Sequence, residues 1–425
     1  MKEELLHYIW KYRLFNRPLV TVEGEAVEII SPGIHNHNAG PDFSDARLRI
    51  GDELWAGNVE IHVNSSDWIR HGHNEDAAYQ NVVLHLVFNH DDENAVRNIP
   101  VVQLKGFFDL SIHAYYQSFI SSKRWVPCIN QLHEVPPHEI SFWLERMLIE
   151  RLENKADVIH GFLALGNNNW EEAFYYTLAR SFGFSVNALP FEMMARSLPY
   201  RVIARHLDRP FQVEALVFGQ AGLLTHDLLD PWPQELFREY SFLRQKYHLV
   251  PVEAHIWRYL RLRPPNFPTV RLSQFASLLC SGGGMLSRVL ESKTIDSLMQ
   301  LFSEVKASEY WDNHFLFDRS TAGKSKRLGT EAVRLLLINA VLPFMFVNGR
   351  STGNDDLCNR ALGFFGELPG EKNEQITRWK EGGMDVSSAF NTQALIGLKK
   401  EYCDKKRCLD CRIGNFLLKK GFNNE

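Results

Sequence analysis

Near residue 130 the hydrophobic period of this chain changes, and that change restricts the folds open to it. Before it, short β-type runs lie between turn signals, at residues 18–22, 26–30, 46–50, 55–63, 82–88 and 100–104. Ala46-Arg47-Leu48-Arg49-Ile50 alternates strictly, so one face of that strand is expected to be wet. Residues 82–88 are almost continuously apolar, which suits a central strand covered on both faces. Helical segments at 3–15 and 109–121, with a loop and a short helix within 67–80, separate the strands and imply a mixed sheet. After residue 135 apolar residues recur at three- and four-residue spacing, beginning with 139–165 and 170–182. The same period continues through 191–206, 213–224, 233–246, 272–279, 297–305, 330–346, 355–365, 374–382 and 389–402. The fold class expected is α+β. An N-terminal α/β domain with a mixed sheet covers residues 1–130, and a large all-α region covers 131–425 and ends in a Cys-rich tail whose last residues, 421–425, should fray.

The 425 residues, 45% of them hydrophobic, suffice for two or three domains with cores of their own. A formal net charge of −4 excludes a globally basic nucleic-acid binder, so any such contact must come from a local patch. Met1-Lys2-Glu3-Glu4 carries acids into an amphipathic segment, unlike a signal peptide. The most apolar run, 332–347, is interrupted by Arg334, Asn339 and Pro343 and is short for a bilayer, so a buried helix is expected. Six cysteines spread over this length do not suggest a disulfide scaffold. A cytoplasmic protein with no membrane partner is expected.

Within the first region, Gly40-Pro41-Asp42-Phe43 opens one expected strand and Val59-Glu60-Ile61-His62 lies on the next. Carboxylates at the ends of adjacent strands can share a hard divalent cation. Such a cation polarises a phosphoryl oxygen and lowers the pKa of bound water. Glu60 and His62, two apart on a strand, point to one face, with Ile61 in the opposite layer. Pro41-Asp42 followed by Glu60-Ile61-His62 resembles the motif of the PD-(D/E)xK nuclease superfamily, over roughly the first 110 residues. The resemblance implies a restriction-endonuclease-like fold, Mg²⁺ or Mn²⁺ on Asp42 and Glu60, and DNA or RNA as substrate. It also places His62 where the superfamily has Lys. A Lys stays charged at pH 7, whereas an unperturbed His is mostly neutral. His62 is therefore open to three roles: general base, metal ligand or hydrogen-bond donor.

Eight of the seventeen histidines fall in the first ninety residues. His35-Asn36-His37 precedes Gly40, His71-Gly72-His73 follows Asp67-Trp68, and His62 and His85 fall on expected strands. With Asp42 and Glu60, several of them could form a Zn²⁺ or two-metal site. The plainer reading makes His35 and His37 loop residues, His85 a hydrogen-bonded core residue and Trp68 a packing residue.

Cys403, Cys408 and Cys411 follow a helix with C-x₄-C-x₂-C spacing, which brings three thiolates within reach of one centre. Thiolates select Zn²⁺ or iron–sulfur clusters, and plant-type ferredoxins share this spacing with a distant fourth cysteine. Cys358, the nearest in sequence, Cys280 or Cys128 could supply that ligand. The alternative is three reduced thiols on a basic tail. The tail also resembles, loosely, those of nucleases and DNA glycosylases that hold a terminal iron–sulfur cluster.

Lys324, Lys326 and Arg327, and Arg258, Arg261 and Arg263 beside Trp257 and Tyr259, suit phosphate contact and base stacking. Solvated helix faces and cation–π packing account for them more cheaply and are the favoured reading. Gly323-Lys324-Ser325 lacks the first P-loop glycine, Asp318 standing there instead, and Gly282-Gly283-Gly284 reads as a helix-breaking loop. Asn38–Phe43, Gly57–His62, Asp67-Trp68, His71–His73 and the cysteine run together resemble the bacterial family called domain of unknown function 2851. That resemblance implies no activity. The residues point to a metal-dependent nuclease, with two alternatives: a non-catalytic nucleic-acid-binding protein with a degenerate nuclease core, or a His-rich zinc hydrolase.

Overall fold

The computed structural model describes residues 1–96, 98–281 and 283–423. The chain divides into two compact units, Met1–Trp143 with Leu398–Glu425, and Leu144–Gly397.

The first unit is built on a seven-stranded mixed sheet. Its strands are β1 (Leu19–Val20), β2 (Ala26–Ser31), β3 (Ile34–His35), β4 (Phe43–Ile50), β5 (Glu53–Asn64), β6 (Val82–Asn89) and β7 (Val101–Gln103). The order is β1-β2-β4-β5-β6-β7, with β3 paired to the start of β4. Pairing is antiparallel as far as β5 and parallel from β5 to β6 and β7. β4 keeps the period of two seen in its sequence, with Ala46, Leu48 and Ile50 buried and Arg47 and Arg49 exposed. An irregular register between Phe43 and Ala46, with Asp45 at φ +55°, lets Phe43 face the core as well. β6 is buried over its first six residues, as a strand flanked on both edges should be. β3 is two residues long, too short for alternation to reveal it in the sequence.

Helix α1 (Glu3–Tyr12) buries Leu5, Leu6, Ile9 and Trp10, the apolar side expected of it, and packs on β5. Between β5 and β6 the helix comes first, as α2 (Asp67–Arg70), and the loop follows, ending in a 3₁₀ turn at Ala77–Tyr79. That reverses the order expected from the sequence. Helix α3 is Ser111–Ile120.

The Cys-rich tail belongs to this unit, which corrects the division at residue 130. The helix Arg412–Asn423 packs against α3, Arg412 pairs with Glu139, and Lys420 Nζ lies 3.0 Å from Glu134. Tyr402 meets Trp143 edge to face at 5.1 Å. Of the segment expected to fray, residues 421–423 complete this helix and Asn424 and Glu425 lie outside the described residues. Gly282 of the glycine run lies outside them too.

The second unit is helical, with helices that include Trp170–Phe182, Ala188–Ser197, Pro210–Gln220, Pro231–Tyr247 and Pro268–Cys280. Three of these open on proline, whose missing N–H costs nothing in a first turn. The helix expected over 191–206 is broken ahead of Pro199, which cannot donate to the preceding turn. A two-stranded hairpin, β8 (His314–Leu316) with β9 (Arg319–Ser320), interrupts the helices unannounced by sequence period. The run Thr330–Thr352 is helical with a π turn at Leu337–Val341. It is long and apolar enough to cross a membrane, yet 78% of its apolar window is buried within the protein. Trp257 is a core residue whose indole N–H donates to the Ala221 carbonyl at 2.8 Å. Lys326 is likewise committed, donating to the Asp312 carbonyl at 2.9 Å. Arg258, Arg261 and Arg263 remain exposed.

Candidate metal centre

Because β5 and β6 run parallel, the chain between them must cross a face of the sheet rather than turn back in a hairpin. Glu60 and His62 project from β5 on one face, and both are buried. The crossover brings His71 and His73 against them. His71 Nδ1 lies 3.2 Å from His62 Nε2, and His73 Nε2 lies 3.2 Å from Glu60 Oε1. Glu60 Oε1 is also 3.4 Å from His62 Nε2. One ring nitrogen from each of His62, His71 and His73 falls within 4.8 Å of the others, close enough for a single ion. Trp68 is buried edge-on against His62 and His73, so it packs the histidines, and Tyr79 stacks on His73 at 3.8 Å. Asp67 is spent locally, accepting the Asn64 N–H at 3.1 Å and pairing with Arg70 at 2.6 Å.

Asp42 closes the site from the neighbouring strand. Gly40, at φ +103°, takes the left-handed turn that a side chain disfavours and delivers Pro41-Asp42 to the head of β4. The two strands then clasp each other: the Asp42 N–H donates to Glu60 Oε2 at 3.2 Å, and the Ile61 N–H donates to Asp42 Oδ2 at 2.9 Å. His7 of α1, one turn after Glu3, places Nε2 3.2 Å from the same Asp42 oxygen. His35 stacks on Phe43 at 4.8 Å and adjoins His7 and His37, at 5.2 and 4.3 Å between ring centres. Of the expected ligands Asp42, Glu60, His35, His37, His71 and His73, the structure brings His71 and His73 together with His62 and sets Glu60 beside them. His35 and His37 lie on the His7 side of Asp42 and do not join the group that His62 forms with His71 and His73.

Burial dominates the electrostatics. It pulls the His62 imidazole down to about 3, with help from neighbouring His73 and His71. It lowers His73, and it takes His85 to about 3 with His62 as the next cause. Burial, then the Asp42 charge, pushes Glu60 up to about 9. The imidazoles are thus neutral at pH 7, the form that ligates metals. A carboxyl held protonated by lack of a counter-charge is also the group a cation would most favour in its ionised state.

Two cavities reach this region. One, of about 650 Å³, is lined by Trp68, His73, Asp76 and Tyr79. The other, of about 240 Å³, is lined by His7, His35 and His37 together with Lys11 and the loop Lys405-Lys406-Arg407. The second is the more cationic, although Glu4 and Asp410 also line it and Lys405 and Arg407 are paired with Glu401 and Asp410.

His85, fully buried on β6, sets the orientation of His62. Its Nε2 lies 2.9 Å from His62 Nδ1, so a proton held there leaves His62 Nε2 as a free lone pair. The plainer reading of His85 as a hydrogen-bonded core residue agrees with this contact. Replacing His85 with phenylalanine should weaken divalent-metal affinity by roughly 10–100-fold, the usual effect of losing an outer partner of a ligating imidazole. Chelator competition measures this, and an unchanged affinity would show that His62 is oriented without it.

Of the proposed thiol ligands, Cys358 belongs to the helical unit, where its thiol donates to the Phe346 carbonyl at 3.5 Å, and Cys403, Cys408 and Cys411 belong to the sheet unit. His7 and Tyr79, not singled out in the sequence, complete the surroundings of Asp42 and His73. Only the spacing of Glu3 and His7, four apart on one helical face, hinted at the former.

A family model described as "Protein of unknown function (DUF2851)" matches residues 3–374. No curated protein and no solved structure matches the chain.

Proposed function

We propose that the chain, which belongs to this DUF2851 family of proteins of unknown function, is a metal-dependent hydrolase of phosphodiester bonds in DNA or RNA. The observation that carries the reading is the gathering of His62, His71 and His73 within 4.8 Å, with Glu60 Oε1 beside two of them. Imidazoles with one carboxylate suit Zn²⁺ or Mn²⁺ better than Mg²⁺, which prefers oxygen ligands. Three protein ligands leave a position for water, and an ion there would supply a hydroxide near neutral pH. Glu60 would accept the proton of that water, and Asp42 holds Glu60 in place through the reciprocal backbone bonds. His62 then acts as a ligand and need not substitute for a charged Lys. One feature favours phosphodiesters as substrate: the cavity lined by His7 carries four basic side chains, Lys11, Lys405, Lys406 and Arg407, against two acids, Glu4 and Asp410.

The test is hydrolysis of labelled single- and double-stranded DNA and RNA, and of bis-p-nitrophenyl phosphate, by the full chain with Zn²⁺, Mn²⁺ or Mg²⁺. Glu60→Gln is expected to lower the rate by roughly 10²–10⁴-fold, the worth of a positioned general base. An undiminished rate in that variant would remove Glu60 from the chemistry. Nucleic-acid retention with no cleavage by the wild type would assign the non-catalytic binder instead.

A further inference from the structure

The three cysteines of the tail meet a fourth that lies far from them in the sequence. Cys128 immediately precedes the 3₁₀ segment Ile129–Glu134, Cys403 ends a π turn at Lys399–Cys403, and Cys408 and Cys411 flank the entry to the helix Arg412–Asn423. All four belong to the sheet unit and are reduced, with Cys128, Cys408 and Cys411 buried and Cys403 half-buried. Cys403 is within electrostatic reach of the other three, and Cys128 of Cys408 and Cys411.

Contacts on both sides hold the segments together. Lys406 Nζ donates to the Ser122 carbonyl at 2.6 Å, and Lys399 Nζ stands 5.2 Å from the centre of the Trp125 ring. These contacts tie the stretch leading to Cys128 onto the Cys403–Cys411 loop. The N–H groups of Ile413 and Gly414 and the Trp143 indole act on the Cys411 thiol and oppose its burial, which pushes it up to about 12. A Cβ on Gly414 would meet the Cys408 carbonyl at 2.2 Å, so only glycine lets the helix start this close to the loop. Burial raises all four thiols, and the Lys399 and Lys406 cations near Cys403 and Cys408 would offset the charge of ligating thiolates.

The spacing distinguishes the occupant. Around one zinc ion, Zn–S bonds of about 2.3 Å in a tetrahedron place the sulfurs roughly 3.8 Å apart. Among the described residues, no three of these sulfurs lie within 4.8 Å of one another. A polynuclear cluster distributes its cysteines over several irons and needs the wider frame.

We propose that Cys128, Cys403, Cys408 and Cys411 hold an iron–sulfur cluster. The ligands Cys403 and Cys408 bracket Lys405-Lys406-Arg407, so the cluster also fixes the basic wall of the cavity that contains His7. The inference stands on the cysteines alone and is independent of the hydrolase reading.

The experiment is anaerobic purification of the full chain, with iron, acid-labile sulfide and zinc measured per chain and the visible absorption recorded. Iron and sulfide in stoichiometric amounts, with broad visible absorption, are expected of the wild type and of Cys358→Ser. Cys128→Ser should lose most of both. Zinc in place of iron, or neither metal after reconstitution with Fe²⁺ and sulfide, would overturn the proposal. So would a Cys128→Ser variant that keeps the full complement. The wild-type analysis decides the cluster's existence even if a serine variant does not fold.

Discussion

Replacing His62 with alanine is expected to abolish stoichiometric binding of Zn²⁺ or Mn²⁺ at the histidine centre, with affinity falling by more than about 100-fold, beyond the loss from an outer partner. His62 is the hub of the group. Its Nε2 lies 3.2 Å from His71 Nδ1 and 3.4 Å from Glu60 Oε1, and its Nδ1 faces His85 at 2.9 Å. Removing the ring takes away one ligand and the partner that places the other donors. The fold should survive, because β5 keeps Val59 and Ile61 in the core. Titration calorimetry on a variant lacking Cys128, Cys403, Cys408 and Cys411 separates this site from the thiols. Equal affinity in the presence and absence of His62 would remove it from the ligand set.

The second large effect is on stability, in the helical unit. Glu214 is buried there, and its Oε1 accepts from Ser273 Oγ at 2.7 Å, Ser308 Oγ at 2.9 Å and Trp311 Nε1 at 3.1 Å. Glu214→Ala leaves three donors without that acceptor, and at roughly 1–3 kcal/mol for each buried unsatisfied group the expected loss is about 3 kcal/mol or more. Burial raises the Glu214 pKa against the opposing pull of those donors. Above the ordinary glutamate range the folded chain then binds more protons at this position than the unfolded chain does. Stability should therefore fall as pH rises from there through the raised pKa. Glu214→Gln keeps an acceptor and removes the ionisation, so it should flatten that fall. Urea unfolding of the three proteins between pH 4 and pH 8 is the check. A steeper fall in the glutamine variant would contradict the assignment.

The sheet was largely legible because its strands carry their burial in their sequence. Alternation at 46–50 and the apolar run at 82–88 reappear as the half-wet β4 and the covered β6. β3, the 3₁₀ turn at Ala77–Tyr79 and the hairpin at His314–Ser320 are too short for any period to show. The site was half legible. Glu60 and His62 share a face because strand geometry requires it, and the Pro41-Asp42 pair drew attention to the adjoining strand. Which histidines join them depends on a crossover folding back over the sheet, and His35 sits as near in sequence to Asp42 as His71 does to His62. The tail packs on α3 through long-range contacts that no local pattern encodes.

The central claim is that His62, His71 and His73 bind one ion. Anomalous diffraction at the zinc edge, from crystals of the full chain soaked in Zn²⁺, tests it most directly. A single peak is expected about 2.0–2.1 Å from one nitrogen of each ring, the usual Zn–N distance. Anomalous density confined to the cysteines, or a histidine centre that stays empty at saturating Zn²⁺, would contradict it.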